Sequence, residues 1–291
     1  MFSMFNRLPA VEGLSGEMAD DLNLMVRVAR QAGKIVCAGY NRPQEVIEKG
    51  YADLVSQIDE DCDQLIHGEI GRHRLGEPIL SEEASPDVDI SQGKAWVVDP
   101  IDATSAMLFR VSPDMPAVML ARTKDAVPQA SVVYFPLTDE LFWAARGLGA
   151  YKGKQRLHCQ GDVLSGAWVE LNQYGDVREE SAVFRGLREA LRRPGGARLV
   201  SSSPPHSGAG IRIAEGRKRL SAIVHDNNPH KVKQAPWDVL PIQLILHEAG
   251  GVVLNFNGEE YDPFQPEPFV MAASRRLAEQ IIALVKQAPA L

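Results

Sequence analysis

The amino-acid sequence predicts a layered α+β fold. Three observations carry that expectation: apolar residues at helical spacing mark segments near both ends, three strand-like runs follow one another without a helix between them, and the second half alternates helix and strand patterns. Consecutive strands call for an antiparallel or mixed sheet, because a parallel pair needs a long crossover.

Taken in order, Leu22, Met25, Val26, Val28, Ala29, Ala32, Ile35 and Val36 recur near helical spacing between Asp20 and about Tyr40, closing at Gly39. Asp53–Asp59 then leads into Glu60-Asp61-Cys62-Asp63, acids placed where a helix dipole favours them. Pro78–Ser81 reads as a short strand running into Glu82-Glu83, and Ala95–Asp99 as a second. Met115–Arg122, Gln129–Phe135 and Glu140–Ala145 are the three consecutive strands, and Gly147–Gly153 reads as a turn. Beyond them, Glu179–Arg193, Gly208–Glu215, Trp237–Ala249 and Ser274–Gln287 read as helices. Arg198–Ser201, Leu220–His225 and Val252–Phe256 read as extended.

The 291 residues allow one large or two closely packed domains. We divide them into halves, 1–150 and 151–291, of one compact unit. A net charge of −7 argues against a general nucleic-acid binder. Three scattered cysteines without a C-x-x-C fit a reducing cytoplasm rather than a disulfide or zinc framework. No signal-peptide pattern is seen, and no apolar run approaches the ~18 residues that a membrane span needs.

The densest chemistry lies in Ala95–Ser105, A-W-V-V-D-P-I-D-A-T-S. An apolar strand stops at Asp99 and Pro100 and then presents Asp102, Thr104 and Ser105. Two carboxylates so close repel each other in a tight turn unless a cation sits between them, and hard divalent cations take carboxylate and carbonyl oxygens. The plainer reading is a strand followed by an Asx-type turn.

Four acidic stretches in register resemble the inositol monophosphatase family of magnesium-dependent phosphatases. They are D-L-V-S-Q-I-D (53–59), I-L-S-E-E-A (79–84), W-V-V-D-P-I-D-A-T-S (96–105) and P-W-D-V-L…E-A-G-G (236–251). The resemblance covers most of the chain and implies an αβαβα sandwich. Position by position it implies Glu82, Asp99, the Ile101 carbonyl, Asp102 and Asp238 as ligands of two or three Mg2+ ions. Asp59 and Thr104 would orient the attacking water, and Ala103, Thr104, Ser105 and Lys49 would contact phosphate. The implied function is hydrolysis of a small phosphate monoester, inositol monophosphate-like. The alternatives are a nucleotide or sugar bisphosphate phosphatase, or a relative that binds metal and ligand without turnover. The implied partner is a small phosphorylated metabolite, with no nucleic acid or membrane. The implied assembly is a cytoplasmic homodimer, for which Met115–Leu120 offers an apolar surface.

Departures from the family pattern stand out, three of them at the end of the third stretch. The family glycine after the second motif aspartate is Ala103, the next threonine but one is Ser105, and the asparagine that usually follows is Ala106. A G-S-A-like turn is replaced by Ser201–Gly208, and a glutamate shortly before W-D by the longer, basic 225–233. His247-Glu248 lacks a second histidine four residues on, so it is no zinc motif. Trp237 reads as core, and His206, His225 and His230 as surface or capping residues that could touch substrate.

Overall fold

A computed structural model describes residues 13–40, 42, 46–50, 53–172, 181–203, 207–216, 220–225, 235–265 and 267–287. Helix α1 (Gly16–Gly39) and helix α2 (Gln57–His73) flank a hairpin of β1 (Val46–Gly50) and β2 (Asp53–Ser56). A seven-stranded sheet follows: β3 (Ile79–Ser81), β4 (Lys94–Asp102), β5 (Ala117–Lys124), β6 (Val127–Phe135), β7 (Glu140–Ala145), β8 (Gly149–Lys152) and β9 (Gln155–Arg156), in sequence order. It is antiparallel except for β3 beside β4. Short helix α3 (Thr104–Leu108) joins β4 to β5.

The second sheet has the order β11-β10-β12-β14-β13. Its strands are β10 (Trp168–Asn172), β11 (Leu199–Ser203), β12 (Ala222–His225), β13 (Val252–Asn255) and β14 (Phe269–Ala272). Four helices accompany it: α4 (Ala182–Arg192), α5 (Gly210–Ala214), α6 (Pro236–Glu248) and α7 (Arg275–Gln287).

Burial patterns explain the stacking. Helix α4 buries only Phe184, Leu187 and Leu191, one stripe, and lies with α7 on the outer face of the second sheet. Helix α6 buries Val239 through Leu246 without a break. A helix apolar on all sides must be enclosed on all sides, and α6 with α5 fills the space between the two sheets. Helices α1 and α2 cover the far face of the first sheet. Gly33 lets α1 lie close, since a Cβ there would sit 2.6 Å from the Tyr134 ring. The layers therefore run αβαβα, as the resemblance implies.

Several expectations are corrected. Gly147–Gly153 is not only a turn, because β8 lies within it. Tyr151 stacks on Trp143 with ring centroids 4.4 Å apart, and Glu248 accepts the Gly147 and Gly149 amides at 2.7 and 2.8 Å. Met115–Leu120 is no surface patch, since β5 is internal to its sheet and the segment is buried. Strands β1, β2, β9, β10 and β14 have no counterpart among the sequence expectations. His225 is buried and stacked on Phe269, not a surface residue, whereas Trp237 packs against the core as expected. His206 and His230 lie outside the described residues.

One buried cation ties α1 to the first sheet. Arg122, 3% exposed, donates to Asp21 (3.2 Å), Glu77 (2.8 Å) and the Ala95 carbonyl (2.9 Å), with its guanidinium 4.8 Å from the Trp96 ring centre. Removing one partner of a buried ion pair strands the other, at about 3–5 kcal/mol. Because Asp21 keeps Arg74 and Glu77 keeps the Trp96 indole as donors, Arg122→Ala is predicted to lose about 3 kcal/mol, the lower end of that range, in urea unfolding; a loss under about 1 kcal/mol would show that these remaining donors or water replace the guanidinium.

Candidate active site

The site forms where the end of β4 meets the start of α6. Asp99 pairs with Met119 and Asp102 with Ala117, so three steps along β4 match two along β5. A regular strand turns residues three apart to opposite faces, and the extra residue of this bulge brings both carboxylates to one face. Pro100, which has no N–H to leave unpaired, sits inside it. That face is the one that packs on α6. Asp238 lies in the first turn of α6, where it accepts the Ala235 amide at 2.5 Å and caps the helix.

Oxygens of Asp99, Asp102 and Asp238 lie within 4.8 Å of one another. Glu82 follows the end of β3, its amide donating to the Val98 carbonyl at 3.3 Å, and its charge acts on Asp99 from there. Ser81, just before it, is anchored by a buried hydrogen bond to Asp63 on α2.

Asp99 defines the electrostatics. It is completely buried, and neither carboxylate oxygen has a hydrogen-bond donor among the described residues. Burial first, and then the charges of Glu82, Asp102, Asp238 and Asp59, push its pKa well above the usual carboxylate range.

Beside this cluster, Asp59 is fixed by two elements. Its Oδ2 accepts the Ser56 amide (2.9 Å) and hydroxyl (2.7 Å), closing the start of α2. Its Oδ1 accepts the Thr104 hydroxyl at 2.7 Å, which also lies 2.9 Å from the Ile101 carbonyl. Burial raises the Asp59 pKa, opposed by the Ser56 and Thr104 hydrogen bonds.

Ala103 precedes α3 at φ 67°, ψ 39°, the left-handed region that costs a residue with a Cβ roughly 1–2 kcal/mol. Ser105 follows in the first turn of α3. Lys49 falls in β1, and its side chain lies outside what is described.

Sequence reasoning missed Gly208. Its amide donates to Asp102 Oδ2 at 2.7 Å, and a Cβ there would lie 3.0 Å from that oxygen, so a larger residue would have to push Asp102 aside by a few tenths of an ångström. The one signal was a glycine ending the unusual 201–208 stretch. The His247-Glu248 pair is structural: His247 lies 2.7 Å from Glu260, and Glu248 holds the β7–β8 turn.

The family model for inositol monophosphatases matches residues 17–290. The chain belongs to the inositol monophosphatase family. Inositol monophosphatase 1 of Solanum lycopersicum is 28% identical over 254 residues, 85% of this chain and 89% of that protein. Nus factor SuhB of Escherichia coli K12 is 29% identical over 254 residues, 81% of this chain and 85% of that protein. A solved IMPase/NADP phosphatase complexed with Mg2+ and phosphate superposes with a TM-score of 0.75 at 18% identity, covering 91% of this chain and 94% of that one, a likeness in fold.

The family is one of magnesium-dependent phosphatases, and the donors of this chain fit such an ion. Carboxylate and carbonyl oxygens are what a hard divalent cation takes, and a buried carboxylate without donors is a group that only a cation or a proton can neutralise.

With divalent ions chelated, the raised Asp99 pKa means that the folded state holds a proton more tightly than the unfolded chain. The stability it contributes is therefore complete below the ordinary value of 3.8 and is lost as pH rises through the raised one. In chelator, Asp99→Asn is predicted to melt above wild type by a margin that grows from about pH 4 toward pH 7. Magnesium should raise the melting temperature of wild type alone. A margin that does not change with pH would contradict this assignment.

Proposed function

We propose that this chain is a magnesium-dependent phosphatase that hydrolyses a small phosphate monoester, inositol monophosphate-like, with Glu82, Asp99, Asp102, Asp238 and the Ile101 carbonyl holding the metal. The bare, buried Asp99 carboxylate among three other acids carries this reading. Bound magnesium, as two or three ions, would neutralise phosphoryl charge and lower the pKa of water.

The protein's own groups supply orientation. Asp59 is anchored through Oδ2 to Ser56, which leaves Oδ1 to draw the Thr104 proton. Thr104 Oγ1 can then accept a hydrogen from water, so a proton passes from water to Thr104 and from Thr104 to Asp59 as the water oxygen attacks phosphorus, the ester P–O bond breaks and the leaving alcohol oxygen takes a proton from a second water. Burial, by raising the Asp59 pKa, makes it a better proton acceptor. The amides of Ala103 and Thr104, with Ser105 and Lys49, are assigned to the phosphate. The family likeness supports a cytoplasmic homodimer that takes a small phosphorylated metabolite.

Ala103 favours a second reading, in which the chain binds metal and ligand without turnover, since its strained Cβ sits where relatives have glycine. Misplacing reacting atoms by about 1 Å costs on the order of a hundredfold in rate. Phosphate release from a panel of inositol, sugar and nucleotide phosphates with Mg2+ is the test. Wild type is expected to be active, Asp59→Asn and Thr104→Ala to lose at least ~100-fold in kcat, and Ala103→Gly to gain in kcat with unchanged magnesium affinity. If both wild type and Ala103→Gly bind magnesium and hydrolyse nothing, the second reading replaces the first.

A further inference from the structure

We propose that the open edge of the second sheet, at β11, is a docking site for an acidic peptide in extended conformation. Strand β11 is hydrogen-bonded only to β10 and ends the sheet, and its outer edge carries no backbone partner among the described residues. Such an edge invites strand addition and is commonly blunted by charge. Here it is framed by one sign of charge. From Ala182 to Leu199 the chain carries Arg185, Arg188, Arg192, Arg193 and Arg198 against a single acid, Glu189, within a protein whose net charge is −7.

The arginines are placed along the edge. Because β10 and β11 are parallel, α4 between them runs back antiparallel to both. Arg188 donates to Ser202 of β11 at 2.7 Å, and Arg192, one helical turn on, lies toward the start of the strand. The tight turn after α4, in which Ala197 donates to the Leu191 carbonyl at 2.8 Å, delivers Arg198 to the same end. Arg192 and Arg198 are exposed and have no carboxylate partner among the described residues, and Leu199 beside them is 49% exposed.

An extended peptide of about five residues would span the roughly 17 Å of β11. Its backbone would complete the edge, alternate apolar side chains would cover Leu199, and carboxylates would meet Arg192 and Arg198. A twofold pairing of β11 with a second copy would instead set these arginines against each other. A nucleic acid could use the charge but not the backbone ladder.

The probe is a fluorescein-labelled octapeptide of alternating Glu and Val, titrated into the full chain and read by anisotropy. Saturable binding is expected, weakened at least tenfold in Arg192→Glu/Arg198→Glu, at least tenfold by N-methylation of alternate peptide amides, and progressively by added salt. Phosphate release and the melting curve of the double variant should match wild type. No saturable binding, or equal binding of the N-methylated peptide, would overturn the proposal. So would displacement of the peptide by a short oligoribonucleotide that binds more tightly, or a dimer that the double variant turns into a monomer.

Discussion

Carboxylates brought together around the fully buried Asp99, with Asp102 also buried and Glu82 and Asp238 half-buried, make the constraint on which the rest of this structure depends. Burial alone pushes the Asp99 pKa up, and the charges of Glu82, Asp102 and Asp238 push it further. Holding them together is possible because three rigid devices bear them: the end of β3 carries Glu82, a bulge in β4 carries Asp99 and Asp102, and the capped start of α6 carries Asp238. A cation that satisfies all of them converts mutual repulsion into ligation. In its absence the same cluster is a local liability set into a well-packed core.

The layering serves that arrangement. Helix α6 is enclosed between two sheets from Val239 to Leu246, which anchors the half-buried first turn that carries Asp238. The second half also reaches the other motif directly, through the Gly208 amide on Asp102 Oδ2. That bond occupies one oxygen of the proposed ligand carboxylate and fixes its direction, the usual task of groups just behind a metal ligand. Neither half completes the site alone.

Much of this was legible in the sequence, and the rest was hidden for physical reasons. The four acidic stretches could be read because metal ligation demands oxygen donors at fixed places in otherwise apolar runs. Trp237–Ala249 announced a helix, but only the unbroken burial of Val239–Leu246 told that it lies between sheets. Strands β10 and β14 went unseen because a four- or five-residue run such as Phe269–Ala272 has no period long enough to separate strand from helix. Gly208 acts through its backbone amide, and a hydrogen bond across 106 residues leaves no local signature. The conformation of Ala103 was likewise invisible: the residue type pointed to a helical φ as readily as to the observed 67°.

The central claim, that these carboxylates are metal ligands, is met most directly by a crystal soaked in Mn2+ and measured for anomalous scattering. The account predicts at least one strong peak within about 2.3 Å of oxygens from Asp99, Asp102 or Asp238, with Glu82 or the Ile101 carbonyl completing a shell. Ordered manganese bound only elsewhere, with these carboxylates left as they are, would contradict it.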